Sequence, residues 1–477
     1  MAAPLTTKPQ VNGYRFLVRR LQHALMRRDP RMIHDPMRSQ NRSVMVGLAL
    51  AVLVLLGCGI LALLRPQGAV GDSSIVLAKD SGALYVRVGD RLHPVLNLAS
   101  ARLIVGEAES PTDVKDDKLG EYPRGPMLGI PGAPSALDTG GGTVDWTVCD
   151  RAAEGTVTTG GVAGPTDAAG AAPTGPGQSV LATGGDGTYL LYEGRKARVD
   201  TADTSLMRSL GLADATPRPV STGLLDALED SPPLAVPEVP DRDSAGALDG
   251  FGVGTVVREP GTDGDTYHLV LSDGVQPIPV TAAAALRAAD SSGRAEMPEV
   301  SPEQIAAVSV VQRLPLDHFP TAKPELLEAD AEPVTCVLWH RADGDPRAEL
   351  SLLSGRDLPL PEGVVPTPLA GADGGGDHTD WFASPDSTGW FAQVTDSSGE
   401  ARRAESLGYI SATGTRFEIP DAGVAEVLGL GAAPTPIPWS IDRLLAPGPL
   451  LSRETALVAH DGVGPDSVPV PMQLRGG

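Results

Sequence analysis

The pattern of apolar and polar positions divides the chain into an amphipathic segment, one long apolar segment and a remainder of short alternating runs. Residues 44–64 (VMVGLALAVLVLLGCGILALL) carry no charge, and thirteen of them are Leu, Ile or Val. As a helix they would extend about 31 Å, which matches a hydrocarbon core of about 30 Å. At roughly 0.3–0.6 kcal/mol for each Leu, Ile or Val, insertion is favoured by about 4–8 kcal/mol. We therefore predict one transmembrane helix over residues 44–64.

A cleaved signal peptide and a lipid-attachment site are two other interpretations of this segment. A signal peptide has a shorter apolar region close to the start of the chain, whereas 43 residues precede this one and Arg65 and Pro66 follow it. The residues before Cys58 (LLGC) resemble a lipid-attachment box, but cleavage there would discard much of the apolar segment. The transmembrane interpretation accounts for the whole length.

The segment before the span predicts an amphipathic helix over residues 12–28, with Pro30 ending it and residues 1–9 disordered. Its apolar residues recur at spacings of three and four. Such a helix could lie on an anionic membrane surface, dock on a partner protein, or serve only to orient the span. The apolar stripe comprises Tyr14, Leu17, Val18, Leu21, Ala24 and Leu25. We expect partner docking through Tyr14, Arg15, Phe16, Leu17, Arg19, Arg20, Arg27 and Arg28.

Charge predicts the orientation of the span. Residues 1–43 carry nine Lys and Arg and two Asp, a net charge of +7, so the remaining residues sum to −22 − 7 = −29. Positively charged flanks stay in the cytoplasm. We expect a basic cytoplasmic tail and 413 residues outside, whose acidic surface repels nucleic acid and anionic lipid.

Composition indicates a β-rich outer part of two to four domains. Apolar residues make up 41% of the chain, which supports hydrophobic cores, and Gly and Pro together number 100 of 477. That composition favours short strands, turns and loops over helical bundles.

Two cysteines follow the span, Cys149 and Cys336, each in a strand-like run beside a tryptophan (WTVC and CVLW). Disulfides persist outside the cytoplasm, so a bond between them is favoured over two buried free thiols. A redox pair is disfavoured because the chain contains no Cys-x-x-Cys.

The runs GYRFLVRRL (13–21), ALMRRD (24–29) and DPMR (35–38), followed by one span, resemble the start of EccB, the single-pass core subunit of the type VII (ESX) secretion machinery of actinobacteria. The resemblance continues through both cysteine segments to the proline-rich C-terminus. It implies self-association, attachment to the membrane, and as partners the FtsK/SpoIIIE-type ATPase EccC, EccD, EccE where present, and the mycosin protease. No nucleic acid is expected among them.

The outer part contains a weak fourfold repeat of a strand, a glycine turn, a second strand and a helix. The predicted fold is therefore α+β and β-rich, with four small β-β-α repeats, and the resemblance to EccB implies that these repeats surround a central β domain. The hairpins fall at residues 83–95, 189–199, 268–280 and 408–419, with helices at 97–104, 203–211, 281–289 and 422–428. Residues 218–228 and 437–446 also resemble each other.

The repeats, the span and the cysteine segments divide the chain into nine predicted regions. We expect residues 151–178, 228–248 and 371–380 to be exposed loops or disordered insertions. The regions are a cytoplasmic tail (1–43), the span (44–64), repeat 1 (65–115), the first part of the central domain (116–180), repeat 2 (181–250), repeat 3 (251–300), the second part of the central domain (301–380), repeat 4 (381–455) and a C-terminal tail (456–477).

No motif in the sequence predicts a catalytic, cofactor or metal site. A phosphate-binding loop requires Gly-x4-Gly-Lys-Ser/Thr, and Gly194-Arg-Lys196 lacks both the upstream glycine and the hydroxyl. The acidic run 373–380 lacks the closing Glu of a calcium loop. The favoured function is a structural subunit of a secretion machine. The alternatives are a peptidoglycan-binding module and, because EccB proteins are sometimes called ATPases, an ATP-hydrolysing subunit.

Overall fold

A computed structural model describes residues 7–28, 36–64, 70–140, 144–153, 155–262, 264–289, 297–342, 345, 347–396, 404–431 and 433–464. The chain forms two compact units, Met1–Gly71 and Asp72–Gly477, which are described separately.

The first unit contains helices α1 (Lys8–Arg27) and α2 (Pro36–Leu64). Helix α1 begins four residues earlier than predicted because Thr7 and Gln10 form a capping box, so Lys8 and Pro9 are helical rather than disordered. It ends at Arg28, whose φ of 55° is left-handed, while Pro30 lies outside the described residues. Within α2, Arg42–Ile60 is long and apolar enough to span a membrane, the one such stretch in the described chain.

The second unit begins with repeat 1. Its strands β1 to β3 are antiparallel, β4 returns parallel to β1, and a single parallel bridge joins Leu92 to Arg124. Its elements are β1 (Ile75–Ala78), β2 (Leu84–Val88), β3 (Arg91–Pro94), α3 (Leu98–Val105), β4 (Thr112–Val114) and α4 (Asp116–Leu119), followed by β5 (Met127–Leu128).

The first part of the central domain is a long antiparallel hairpin. It contains β6 (Trp146–Ala153), β7 (Thr156–Ala163) and β8 (Ala171–Pro173). The expectation of a loop over residues 151–178 is therefore wrong. Gly, Thr and Ala form a strand here because large side chains of a neighbouring strand, described below, pack over the two glycines of β7.

Repeat 2 extends the plan of repeat 1 with a complete fifth strand. The returning strand β12 is parallel to β9, and β13 is parallel to β11. Residues 229–234 thus belong to a strand and not to the predicted loop at 228–248. The elements are β9 (Gln178–Gly184), β10 (Gly187–Tyr192), β11 (Arg195–Val199), α5 (Thr204–Leu210), β12 (Arg218–Pro219), α6 (Thr222–Ala227) and β13 (Glu229–Leu234).

Repeat 3 follows the same plan with both returning segments reduced to single parallel bridges, Arg258 to Glu299 and Val275 to Val310. Its elements are β14 (Val256–Glu259), β15 (Thr266–Val270), β16 (Val275–Ile278), α7 (Val280–Ala288) and α8 (Pro302–Ala306).

The second part of the central domain completes a seven-stranded sheet with the order β20-β21-β7-β6-β18-β19-β8, while β17 pairs with β9. The elements are β17 (Glu325–Leu326), β18 (Val334–His340), β19 (Glu349–Gly355), β20 (Thr367–Pro368) and β21 (Trp381–Ala383).

Repeat 4 has the same strand order as repeat 2, and the chain then returns to repeat 1, where β27 pairs with β5. The elements are β22 (Trp390–Thr395), β23 (Ala404–Ile410), β24 (Thr415–Ile419), α9 (Ala422–Leu428), β25 (Thr435–Pro438), α10 (Trp439–Asp442), β26 (Ala446–Pro447), α11 (Arg453–Ala456) and β27 (Ala459–His460).

All four predicted hairpins are thus present, but each repeat is larger than β-β-α. A first strand precedes each hairpin, and a second helix follows the returning segment. The resemblance between residues 218–228 and 437–446 reflects this second helix, α6 in repeat 2 and α10 in repeat 4.

The first helix of three repeats has the same signals at both ends. Asn97, Asp203 and Asp421 accept hydrogen bonds from the first-turn N–H groups. Each helix ends at a glycine with φ between 76° and 87°, a left-handed conformation that glycine adopts without steric cost.

The repeats pack in the row 1-4-2-3 through alternating helices. Helix α3 packs on α9, α10 packs on α6, and α5 packs on α7. Three apolar cores correspond to these contacts, one between repeats 1 and 4, one between repeats 2 and 3, and one where α6 and α10 cover the central sheet. The row is therefore fixed by burial of the apolar helix faces.

Candidate functional site

The disulfide joins directly opposed residues of the two middle strands of the central sheet. Cys149 on β6 faces Cys336 on β18, with an S–S distance of 2.05 Å and a Cα–Cα distance of 4.1 Å. Trp146 and Trp339 face each other three residues along the same pair of strands. The predicted pairing is confirmed, and it links segments 187 residues apart.

The disulfide is sealed inside the protein. Both cysteines are fully buried in a cluster with Val162, Leu353 and Trp381. Partly buried residues of the following segment, Leu358, Leu360 and Val364, pack against that cluster. The described side chains cover both sulfur atoms on this face of the sheet, so the bond has a structural role.

The opposite face of the central sheet carries the contact with repeats 2 and 4. The indole N–H of Trp146 donates to the carbonyl oxygen of Pro436 at 3.0 Å, and its ring meets that of Trp390 edge-on at 6.4 Å between centroids. Both rings belong to the core covered by α6 and α10.

The junction of repeats 2 and 4 also carries charged side chains. Arg443, after α10, pairs with Asp226 of α6 and lies over the ring of Trp439, at 5.5 Å from its centroid. Lys196 donates to the carbonyl oxygen of Leu225 at 2.7 Å and pairs with Asp230 at 3.2 Å. Within the run 194–196, Gly194 lies in the hairpin turn, while Arg195 and Lys196 begin β11, and the buried lysine side chain reaches α6.

Arg102 joins repeat 1 to repeat 4 through a charged hydrogen bond. From the end of α3 its guanidinium donates to the carbonyl oxygen of Leu428, the last residue of α9, at 2.6 Å. A cation at this position satisfies an unpaired carbonyl and the negative end of the helix dipole. Burial lowers the pKa of Arg102, with the charge of Asp138 opposing that shift.

Residues 371–380, predicted as a loop, connect the repeats to the central sheet. The carboxylate of Asp380 accepts hydrogen bonds from the N–H groups of Thr159, Asp373 and Gly374, at 2.8 to 3.0 Å. Thr379 donates to the carbonyl oxygen of Leu444 in repeat 4. Most of the segment is an exposed loop, as predicted, and only Gly376, Thr379 and Asp380 are buried. Its end is buried because these backbone N–H groups need Asp380 as their acceptor.

Asp150 follows Cys149 directly in β6 and is a second buried acceptor at this junction. It is 2% exposed and accepts hydrogen bonds from Thr159 and Ser221. Among the described residues no group of three or more His, Cys, Asp or Glu is arranged to hold a metal ion. His268 is buried in repeat 3 and contacts Glu259 through Nε2 at 2.8 Å.

The predicted docking residues all lie on α1 or at its end. Tyr14, Phe16 and Leu17 are 70%, 55% and 61% exposed, which is unusual for large apolar side chains. Arg15, Arg19, Arg20 and Arg28 are also exposed, while the side chain of Arg27 lies outside the described part of the chain.

Sequence reasoning missed the polar residues that join the repeats and the central sheet: the buried Asp150 and Asp380, the half-buried Arg102 and Arg443, and the exposed Asp226. Asp150 follows a strand cysteine directly, and a carboxylate within an apolar strand was the available signal. The other four lie in helices or loops where charged residues are ordinary, so only the fold reveals them.

A protein-family model described as "Type VII secretion system ESX-1, transport TM domain B" matches residues 3–465. The chain is 40% identical to a protein named ESX-3 secretion system ATPase EccB3 from Mycobacterium tuberculosis (strain H37Rv), over 99% of this chain and 93% of that protein. It is 39% identical to ESX-5 secretion system ATPase EccB5 from Mycobacterium marinum, over 98% of this chain and 96% of that one.

Solved structures give the same result. A chain of an intact ESX-5 inner membrane complex matches with a TM-score of 0.75 and 35% identity, covering 99% of each chain. The EccB3 dimer from an ESX-3 core complex matches with a TM-score of 0.71 and 38% identity, covering 81% of this chain and 100% of that one.

Proposed function

The chain belongs to the EccB family of type VII secretion systems, and from that premise we propose how its two units serve a secretion machine. It is a membrane-anchored structural subunit with a periplasmic assembly domain. The observation that carries this conclusion is the match with a chain of an intact ESX-5 inner membrane complex over 99% of both chains.

The orientation that we propose places residues 1–43 in the cytoplasm and the repeats in the periplasm. The net charge of +7 before the span and −29 from there to the end supports it, since basic flanks resist translocation. Proteolysis of cells whose outer envelope has been permeabilised, so that the protease reaches the periplasm, provides the test. A tag at residue 477 should be removed and a tag at residue 1 should survive, and the reverse result would contradict the orientation.

Helix α1 is proposed as the cytoplasmic docking element. Its exposed apolar stripe suits a groove of another protein, and its arginines suit an acidic rim. By resemblance, the partners are EccC, EccD, EccE where present, and, on the outer side, the mycosin protease. The related complexes support membrane partners and self-association in general terms.

The nine regions defined from the sequence are kept as a proposal for how the chain is organised. The compact unit Asp72–Gly477 supports a division between the span and repeat 1 close to residue 71. The shared five-strand plan supports four repeats, with each first strand added to the hairpin that the sequence revealed.

Docking is tested by changing charge on α1 while leaving the periplasmic unit untouched. Arg19→Glu with Arg20→Glu should abolish co-purification with the membrane partners, because two exposed cations become anions. Gln22→Glu, an exposed change on the same helix, is the matched control and should preserve co-purification. Co-purification of the double variant at wild-type yield would contradict the docking role.

The alternative of ATP hydrolysis arises from the names of the relatives, which call them ATPases. Lys196, the lysine of the one Gly-Arg-Lys run, is buried and paired with Asp226 and Asp230, which suits a repeat junction. A nucleotide titration of the purified full-length chain distinguishes the two functions. Saturable ATP binding that survives Lys196→Met would favour the alternative and place its site elsewhere.

A further inference from the structure

The carboxyl group of Asp150 is buried where the central sheet meets repeat 2. It accepts hydrogen bonds from the Thr159 hydroxyl at 2.9 Å, the Ser221 hydroxyl at 2.9 Å and the Ser221 N–H at 2.6 Å. Ser221 is also the N-cap of α6, since its hydroxyl accepts from the N–H of Leu224 at 2.9 Å. Asp150 of the central sheet therefore holds the N-cap residue of α6, the helix that attaches repeat 2.

A second buried carboxyl group lies beside the first. The N–H of Thr159 donates to Asp380 at 2.8 Å while its hydroxyl donates to Asp150, so one residue bridges the two acids. Asp380 is 7% exposed. The negative charge of Asp380 disfavours ionisation of Asp150 and so raises the pKa of Asp150.

Among the residues that the structure describes, no cation forms an ion pair with Asp150 or Asp380. The buried Arg218 of β12 donates instead to the carbonyl oxygens of Glu332 and Leu327 and to the hydroxyl of Thr335, which is paired with Asp150 between β18 and β6. Strand β7 carries no ionisable residue. The other ionisable groups on the elements packed around Asp150 are Asp226 of α6, Asp373, Asp377, His378 and Asp380 of the 371–380 segment, His340 at the far end of β18, and Arg151 on the other face of β6.

We propose that Asp150 is a proton-controlled joint, in which binding of a proton to its carboxyl group tightens the attachment of α6 and repeat 2 to the central sheet, and loss of the proton loosens it. The protonated group can donate to the hydroxyl of Ser221 or Thr159 and still accept from the Ser221 N–H. All contacts are then kept without a buried charge.

The balance of forces on Asp150 agrees with this geometry. Burial raises its pKa from 3.8 to about 6, with a smaller contribution from the charge of Asp380, and the hydrogen bonds from Ser221 and Thr159 oppose the shift. A pKa raised in the closed state means that the joint is strongest below the ordinary Asp value. It weakens as pH rises through about 6.

Hydrogen exchange of the detergent-solubilised full-length chain tests the joint. After correction for intrinsic exchange, the amides of Leu224 and Leu225 should open about tenfold more at pH 7.5 than at pH 5.0, as two-state linkage between pKa values of 3.8 and about 6 requires. The amide of Ala283 in α7, bonded to the carbonyl oxygen of Pro279, is the internal reference and should not change.

Two variants separate the proton from packing. Asp150→Asn cannot titrate and should give the same opening of α6 at both pH values. Asp380→Asn should keep the pH dependence but move its midpoint to lower pH, because a neighbouring negative charge is lost. If Asp150→Asn fails to fold, the pH dependence of α6 exchange in the wild type and its midpoint in Asp380→Asn still test the proposal. Unchanged α6 opening in the wild type, or pH dependence that survives Asp150→Asn, would overturn the proposal.

Discussion

The indole ring of Trp381 lies directly over the backbone of Gly160. The two residues face each other across the parallel strands β21 and β7. A Cβ atom added at Gly160 would lie 1.9 Å from Cε2 of Trp381, closer than any real contact. The next pair, Gly161 under Phe382, repeats the arrangement at 3.1 Å. The glycines of β7 therefore leave space for two aromatic rings of β21, Trp381 on one face of the central sheet and Phe382 on the other.

Gly160→Ala should destabilise the periplasmic unit by about 1–3 kcal/mol, since the ring has no space to move within a packed cluster. Denaturant unfolding of the solubilised protein, followed by tryptophan fluorescence, measures the change. Gly371→Ala is the control, because a Cβ atom there meets nothing within 4 Å and the backbone conformation is ordinary. Equal stability of both variants would show that Trp381 is free to shift.

Loss of the disulfide should cost about 2–5 kcal/mol, since it closes a loop of 187 residues. Cys149→Ser and Cys336→Ser should lower the unfolding midpoint equally, because either change removes the same bond.

Thiol counting checks the same bond in the unmodified chain. Because both sulfur atoms are buried, a reductant should leave the disulfide of the folded protein intact, so that the thiols of Cys149 and Cys336 become reactive only after unfolding. Rapid reduction of the folded protein would contradict the sealed site.

Arg102→Ala should weaken the junction of repeats 1 and 4. The carbonyl oxygen of Leu428 would lose a charged donor, at a cost of about 1–3 kcal/mol. Arg208 occupies the same position in α5, five residues after the N-cap, but is exposed. Arg208→Ala should therefore change the free energy of unfolding by no more than about 0.5 kcal/mol. Similar losses in both variants would indicate a general effect of charge and not the helix-end contact.

Asp442 should make stability depend on pH. Burial raises its pKa, and Arg416, at 3.4 Å, opposes the shift. The free energy that this residue contributes is greatest when it is protonated, below the ordinary Asp value, and decreases as pH rises through the raised pKa. The stability of the wild type relative to Asp442→Asn should therefore fall from acid to neutral pH in denaturant titrations. A constant difference would contradict the buried environment.

The parts of the fold that the sequence predicted are those with local signals. Each hairpin has a glycine turn, and each first helix in repeats 1, 2 and 4 has a polar N-cap and a glycine at its end. The cysteine pairing followed from compartment and strand pattern. These features depend on a few neighbouring residues, so one sequence is enough to reveal them.

The missed parts depend on partners distant in the chain. Strands such as β12 (Arg218–Pro219) have two residues, and in repeats 1 and 3 the final strand is one bridge, too short for any periodicity. Strand β7 has a loop-like composition because its glycines leave space for the rings of Trp381 and Phe382, which lie more than 200 positions further along the chain. Asp150 and Asp380 were missed for the same reason, since their donors come from other elements.

Because β27 pairs with β5, the last strand of the described part of the chain completes the first repeat to be synthesised. Helix α11 likewise packs on α3. Repeat 1 can therefore complete its folding only after residues 453–460 have been synthesised. A premature stop codon near position 450 would consequently destabilise repeat 1, which follows the membrane anchor in the sequence. Repeats 2 and 3 would keep all of their own strands.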